Sequence, residues 1–141
     1  MKSCVVDASV AVKWFVGDAP DENNIPQALQ LLDIGISGNA VFIQPPHWVA
    51  EISAVLARRI PQLASDNIAD LLQFDCVRIV DSFHAYQRAI SLSQTLNHHL
   101  FDTLYHAVAL EEDATLITAD RCYYDKAKAA GGIIMLEDFA A

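Results

Sequence analysis

Ser3-Cys4-Val5-Val6-Asp7-Ala8-Ser9-Val10-Ala11-Val12-Lys13-Trp14-Phe15-Val16 changes character at a single acidic residue. The short apolar run that Asp7 ends reads as a buried strand over residues 3–7. Ala8 to Val16 then reads as a helix with Val10, Ala11 and Trp14 on its apolar side. A buried strand that feeds straight into a helix is the building unit of a parallel sheet with helical crossovers. A carboxylate close to a buried strand end is costly unless something compensates it.

The same grammar repeats along the chain. Gly17 to Pro26 is the clearest loop, rich in Gly, Pro, Asp and Asn. Residues 26–37 read as a helix carrying Leu29, Leu32 and Ile36, with Gly35 and Gly38 at its fraying end. A second strand, 40–43, stops at Pro45-Pro46, and a helix over 47–59 carries the stripe Trp48, Val49, Ile52, Val55 and Leu56. Glu51 falls on the flank of that stripe, bordering the core. A helix over 65–75 with Ile68, Leu71, Leu72 and Phe74 precedes a third strand, 77–80. A long helix over 83–97 and a turn at His98-His99-Leu100 lead into a helix from Asp102 to about Glu112. Thr115 to Thr118 is a fourth strand, followed at once by Ala119-Asp120. A helix over 122–130, a fifth strand over 133–135 and a final turn complete the reading.

Five short apolar strands separated by helices predict one α/β domain over residues 1–141, a parallel sheet with helices on both faces. The 141 residues suffice for a buried core. A hydrophobic fraction of 53% and a mean hydropathy of +0.24 exclude a disordered chain. No apolar run is long enough to cross a bilayer, and Met1-Lys2-Ser3 runs into a strand without a signal-peptide pattern, so a cytoplasmic location is expected. Cys4, Cys76 and Cys122 form no Cys-x-x-Cys pair and are expected to be reduced and mostly buried.

In such sheets ligands bind beyond the carboxyl ends of the strands. Asp7 and Asp120 both stand at such ends, which brings them to one rim. With Glu51 and Asp102 they make four acids suited to a hard divalent cation, Mg²⁺ or Mn²⁺, and so to metal-dependent phosphoryl transfer or hydrolysis. Each also has a plainer use: Asp7 and Asp102 as helix N-caps, Asp120 as a turn residue, Glu51 as a solvated charge. Ser9 is placed to hydrogen-bond a carboxylate or a water, and Thr118 shares a side with Asp120 along the strand. The net charge of −9 disfavours a general nucleic-acid surface. A metal-loaded acidic pocket inverts its local sign, however. Lys13, Arg58, Arg59 and Arg121, all near the four acids, could then hold a phosphate backbone. His47, His84, His98, His99 and His106 show no metal-binding spacing and are assigned structural or solvent roles. No glycine-rich phosphate loop is present.

Four stretches together resemble the PIN-domain family, and within it the VapC-type ribonuclease toxins. They are Val5-Val6-Asp7-Ala8-Ser9-Val10-Ala11-Val12-Lys13-Trp14, Pro46-His47-Trp48-Val49-Ala50-Glu51-Ile52, Phe101-Asp102-Thr103-Leu104-Tyr105-His106-Ala107 and Leu116-Ile117-Thr118-Ala119-Asp120. The resemblance implies a three-layer α/β/α fold. It implies Mg²⁺- or Mn²⁺-dependent endonuclease action on RNA. It also implies a homodimer and a cognate antitoxin whose C-terminal segment blocks the site. Asp7, Asp102 and Asp120 would gather one or two ions, and Glu51 would complete the cluster or hold a metal-bound water. Phe101 stands where the family often has Tyr, and His106 where it usually has a small or apolar residue. Neither departure removes an oxygen ligand.

Two rival functions are weighed against this. An aspartyl-phosphate phosphohydrolase would use Asp7 as nucleophile, but such enzymes usually carry a second Asp two residues on, where this chain has Ser9. A catalytically idle PIN-like interaction module would keep the fold and act by binding alone.

Overall fold

The computed structural model describes residues 1–17 and 19–141. Asp18, inside the loop expected over 17–26, lies outside the described residues. The strands are β1 (Lys2–Val6), β2 (Ala40–Gln44), β3 (Val77–Ile79), β4 (Thr115–Thr118) and β5 (Ile133–Met135). They form one five-stranded sheet in the order β3-β2-β1-β4-β5, with every neighbouring pair parallel. The expected parallel sheet of about five strands is therefore present.

The helices are α1 (Ala8–Ala11), α2 (Lys13–Val16), α3 (Ile25–Ile36), α4 (Trp48–Arg59), α5 (Ala64–Leu71), α6 (Phe83–Leu96), α7 (Leu100–Glu111) and α8 (Arg121–Ala127). The chain steps outward from β1 through β2 to β3, then returns across the sheet to β4 beside β1. Right-handed crossovers run in opposite directions from this point, so they put α1–α5 on one face and α6–α8 on the other. Packing of α3 on β2 and of α7 on β1, β2 and β4 fits that division, giving three α/β/α layers. The reversal between β1 and β4 is the switch point at which such sheets bind ligands.

The core is built from β1 (Cys4, Val5, Val6), β2 (Phe42, Ile43), β4 (Leu116, Ile117) and the facing helical residues Trp48, Ile52, Leu56, Leu104 and Val108. Several expectations need correction. The expected helix over 8–16 divides at Val12 into α1 and α2, although Val12 keeps right-handed helical dihedrals. Helix α3 buries Ala28, Leu31 and Gly35, while Leu29 and Ile36 face solvent. Gly35 is a contact residue rather than a frayed end. A Cβ there would lie 2.5 Å from Phe42 Cζ, so only glycine lets α3 sit this close to β2. Helix α5 stops at Leu71, and Leu72 is exposed. Of the three free cysteines only Cys4 is buried; Cys76 is intermediate and Cys122 exposed.

One buried polar side chain shapes the rim. Gln44, fully buried at the end of β2, accepts a hydrogen bond from Val6 N–H through Oε1 and donates to the Val6 carbonyl through Nε2, both at 2.8 Å. The side-chain amide thus supplies the next rung after the Cys4–Phe42 pairing and satisfies both polar groups of the residue before Asp7.

Candidate active site

Asp7 leaves β1 in extended conformation and starts α1 as its N-cap, yet its carboxylate makes no capping bond. Instead Ser9 Oγ and Thr118 Oγ1 both donate to Asp7 Oδ2, at 2.6 and 3.0 Å. Among the described residues no hydrogen bond reaches Oδ1, which leaves that oxygen available. Each hydroxyl also accepts a main-chain N–H, Ser9 from Ala119 at 3.1 Å and Thr118 from Asp120 at 3.0 Å. Thr118 therefore orients Asp7 rather than the Asp120 carboxylate that its side of the strand suggested.

Burial pushes the Asp7 carboxyl up to about 6, against the two hydroxyl bonds; the charges of Asp102 and Glu51 push it the same way. Asp120 is the N-cap of α8, and its Oδ1 accepts the Tyr123 N–H at 3.0 Å.

Asp102 lies in the first turn of α7, which begins at Leu100 with His99 as its N-cap, so Asp102 does not cap the helix. Asn97 in left-handed conformation ends α6 and turns the chain so that His98 faces Asp102. Lys126 Nζ is 3.1 Å from His98 Nδ1. An ammonium group only donates, so Nδ1 is the acceptor and Nε2 carries the ring proton. That Nε2 donates to Asp102 Oδ2 at 2.7 Å. Among the described residues, donor atoms of His98, Asp102 and Asp120 lie within 4.8 Å of one another.

Glu51 projects from the first turn of α4. Tyr105 on α7 donates its hydroxyl to Glu51 Oε1 at 2.5 Å; His47 Nε2 donates to the Phe101 carbonyl at 2.8 Å and lies 3.3 Å from the same Glu51 oxygen. Burial alone would raise the Glu51 carboxyl, but the hydrogen bonds from His47 and Tyr105 outweigh it and hold the group below its ordinary range. Burial first, and then the Asp7 and Glu51 charges, push the Tyr105 hydroxyl upward, so it stays a donor. The His47 ring packs against Tyr105 at 4.7 Å between centroids. Behind the site, buried His106 donates from Nε2 to the Gly131 carbonyl at 2.7 Å, which leaves Nδ1 to accept the Tyr123 hydroxyl at 2.9 Å.

Asp7, Ser9, Glu51, Asp102 and Asp120 line one cavity of about 640 Å³ beyond the carboxyl ends of β1 and β4. Thr118 sits behind it, fully buried. A second hollow of about 630 Å³, lined by Ile36, Val41 and Phe74, lies near the opposite ends of the strands and contains none of the four acids. Reading the sequence alone missed His47, His98 and Tyr105. The available signal was the four-residue spacing of His47–Glu51 and His98–Asp102, which sets each histidine just ahead of the helix whose first turn carries the acid.

The PIN domain family model matches residues 4–129. A search of curated protein sequences finds no match. Among solved structures, a toxin–antitoxin complex from Klebsiella pneumoniae aligns with 18% identity and a TM-score of 0.67, covering 94% of this chain and 97% of that one. VapC20 of Mycobacterium tuberculosis, described as a sarcin–ricin loop cleaving toxin, aligns with 19% identity and a TM-score of 0.68, covering 92% and 95%. FitAcB of Neisseria gonorrhoeae aligns with 16% identity and a TM-score of 0.64, covering 96% and 99%. With the family model spanning nearly the whole chain and the four acids meeting at the switch point of a parallel sheet, the chain belongs to the PIN domain family.

Proposed function

We propose that this PIN domain is a divalent-metal-dependent endoribonuclease, the toxin of a toxin–antitoxin pair. The observation that carries the reading is the meeting of Asp7, Glu51, Asp102 and Asp120 on one open cavity from four separate elements of the fold. The donor set fits a hard cation. Asp102 and Asp120 offer carboxylate oxygens within 4.8 Å of each other and of His98, and across the same cavity one oxygen of Asp7 is unbonded. Asp7, Asp102 and Asp120 would hold Mg²⁺ or Mn²⁺, with Glu51 beside them; the cation, when bound, acidifies water and offsets charge on the phosphoryl group.

The chain's own part is positioning. Ser9 and Thr118 fix the Asp7 carboxylate, His98 fixes Asp102, and the Tyr123 N–H fixes Asp120. Glu51, held ionised by Tyr105 and His47, is suited to orient a water for attack in line with the leaving oxygen. Hydrolysis on that line leaves a 5′-phosphate and a 3′-hydroxyl and needs no protein nucleophile. An RNA strand presented as an unpaired loop is the fitting substrate, since its backbone and bases are accessible. A cognate antitoxin, a homodimeric state and a cytoplasmic location belong to the same reading. Of the solved structures above, one is a toxin–antitoxin complex and another a toxin, and no described helix is long and apolar enough to cross a membrane.

The test is cleavage of total cellular RNA by the purified protein with Mn²⁺, with Mg²⁺ and with EDTA, beside an Asp7→Asn variant. Discrete fragments that require both metal and Asp7 support the nuclease. Absence of cleavage by folded, metal-loaded, antitoxin-free protein rejects it, and release of phosphate from p-nitrophenyl phosphate would instead favour a phosphohydrolase.

A further inference from the structure

The four cations near the acids in sequence have different fates in the fold. Arg121 pairs with Glu137 and lies over the Tyr124 ring, and Arg58 is exposed. Lys13 and Arg59 instead line the same cavity as the four acids. Lys13 is 6% exposed, so its ammonium group needs a partner. Glu22 provides it at 2.7 Å through Oε1. The other oxygen of Glu22 takes Arg59 Nη1 at 2.5 Å, and Arg59 Nη2 reaches Asp21 Oδ1 at 2.8 Å. Both oxygens of one carboxylate thus bridge an ammonium and a guanidinium group. The two non-bridging oxygens of a phosphodiester would satisfy the same donors.

The cations sit on helices that also carry site residues. Arg59 follows Glu51 on α4 by eight positions, about 80° round the helix and about 12 Å further along, and both line the cavity. Lys13 opens α2 directly after the turn that begins at Asp7. The carboxylates sit on the connection between α2 and α3, outside any helix or strand. Two positive and two negative groups cancel, so the rim offers a nucleic-acid strand no net attraction while these pairs stand.

We propose that Lys13 and Arg59 form a subsite for the RNA backbone beside the catalytic cavity, and that Glu22 with Asp21 occupies it as a built-in competitor which the incoming phosphate displaces. This rests on the nuclease reading and adds a restraint to it. The test is fluorescence anisotropy of a labelled single-stranded RNA 12-mer with Ca²⁺ replacing Mg²⁺, the strand verified intact afterwards. Wild type is compared with Asp21→Asn, Glu22→Gln, the Asp21→Asn/Glu22→Gln double variant and a Lys13→Met/Glu22→Gln pair. Circular dichroism checks each fold.

Glu22→Gln should bind RNA about 3- to 10-fold more tightly and the double variant more tightly still. The salt dependence of log K should steepen by about 0.7 for each cation released. The gain should shrink in Lys13→Met/Glu22→Gln to what Arg59 alone supplies. The Asp21→Asn variant, at an exposed position that the fold does not depend on, should show a smaller gain of the same sign. Folded variants that bind no more tightly than wild type overturn the subsite, even where wild type cleaves RNA. RNA binding by neither wild type nor any variant overturns both the subsite and the nuclease.

Discussion

Thr118 donates a 3.0 Å hydrogen bond to Asp7 across 111 positions of sequence, and the same hydroxyl accepts the Asp120 N–H. One buried side chain therefore sets the carboxylate at the end of β1 and the main chain that delivers the acid after β4. Thr118→Val removes both bonds and leaves the part-buried Asp120 N–H without a partner. The expected cost is about 1 to 3 kcal/mol of stability. Metal affinity should fall about 10- to 100-fold, as for other groups that orient a metal ligand. Urea unfolding and a Mn²⁺ titration check the two effects, and unchanged Mn²⁺ affinity would remove Thr118 from the site.

Asp7 destabilises the metal-free fold. Its carboxyl rises from 3.8 to about 6 on folding, because burial disfavours the charge. The folded protein keeps a proton that the unfolded chain gives up on passing about pH 4. Stability contributed by this group is therefore full below about pH 4, is lost as pH rises to about 6, and stays lost above it. Two pH units correspond to about 3 kcal/mol. Asp7→Asn should melt several degrees above wild type in EDTA at about pH 7.5, without the decline between about pH 4 and 6. The same variant should lose the rise in Tm that Mn²⁺ gives wild type. Equal melting of the two proteins in EDTA would mean that Asp7 is not strained.

The Tyr105 hydroxyl helps His47 hold the Glu51 carboxyl below its ordinary range. Tyr105→Phe deletes the 2.5 Å bond and leaves near that oxygen only His47 Nε2, 3.3 Å away and already bonded to the Phe101 carbonyl. Stability should fall by about 1 kcal/mol. Cleavage should be about 3- to 10-fold slower near pH 5 and closer to wild type near pH 8, because the Glu51 carboxyl rises when it loses a donor. A uniform loss at all pH values would point to packing instead.

Gly35→Ala separates fold from site. The new methyl would meet Phe42 Cζ at 2.5 Å and Cε2 at 2.7 Å, and that ring is already stacked on Trp14. Overpacking of this kind costs about 1 to 3 kcal/mol. A lower Tm with an unchanged Mn²⁺-induced shift is expected, since Gly35 faces away from the acids.

The sheet was legible because each strand is a short apolar run ended by a change of period, and Asp7 and Asp120 were legible because they stand at those changes. Periodicity served less well where small residues pack. Helix α3 presents Ala28, Leu31 and Gly35 to the sheet, a stripe that hydropathy passes over in favour of Leu29 and Ile36. The supporting donors were hidden for a different reason. Whether His98 faces Asp102 depends on α7 starting at Leu100 and on the left-handed turn at Asn97, and neither boundary follows from apolar spacing. Tyr105 and Glu51 come from helices on opposite faces of the sheet and meet only across its rim.

The central strand β1 pairs on one side with a segment close behind it in sequence and on the other with one that follows more than a hundred residues later. Distant pairings of this kind form late, after the local ones. A chain still being synthesised can assemble β1, β2 and β3 with Asp7 and Glu51 in place, but Thr118 and Asp120 have yet to arrive. The order of the strands thus makes the acidic centre one of the last features of the molecule to be complete: a half-made chain carries Asp7 and Glu51 but lacks Asp120 and the hydroxyl of Thr118 that orients Asp7.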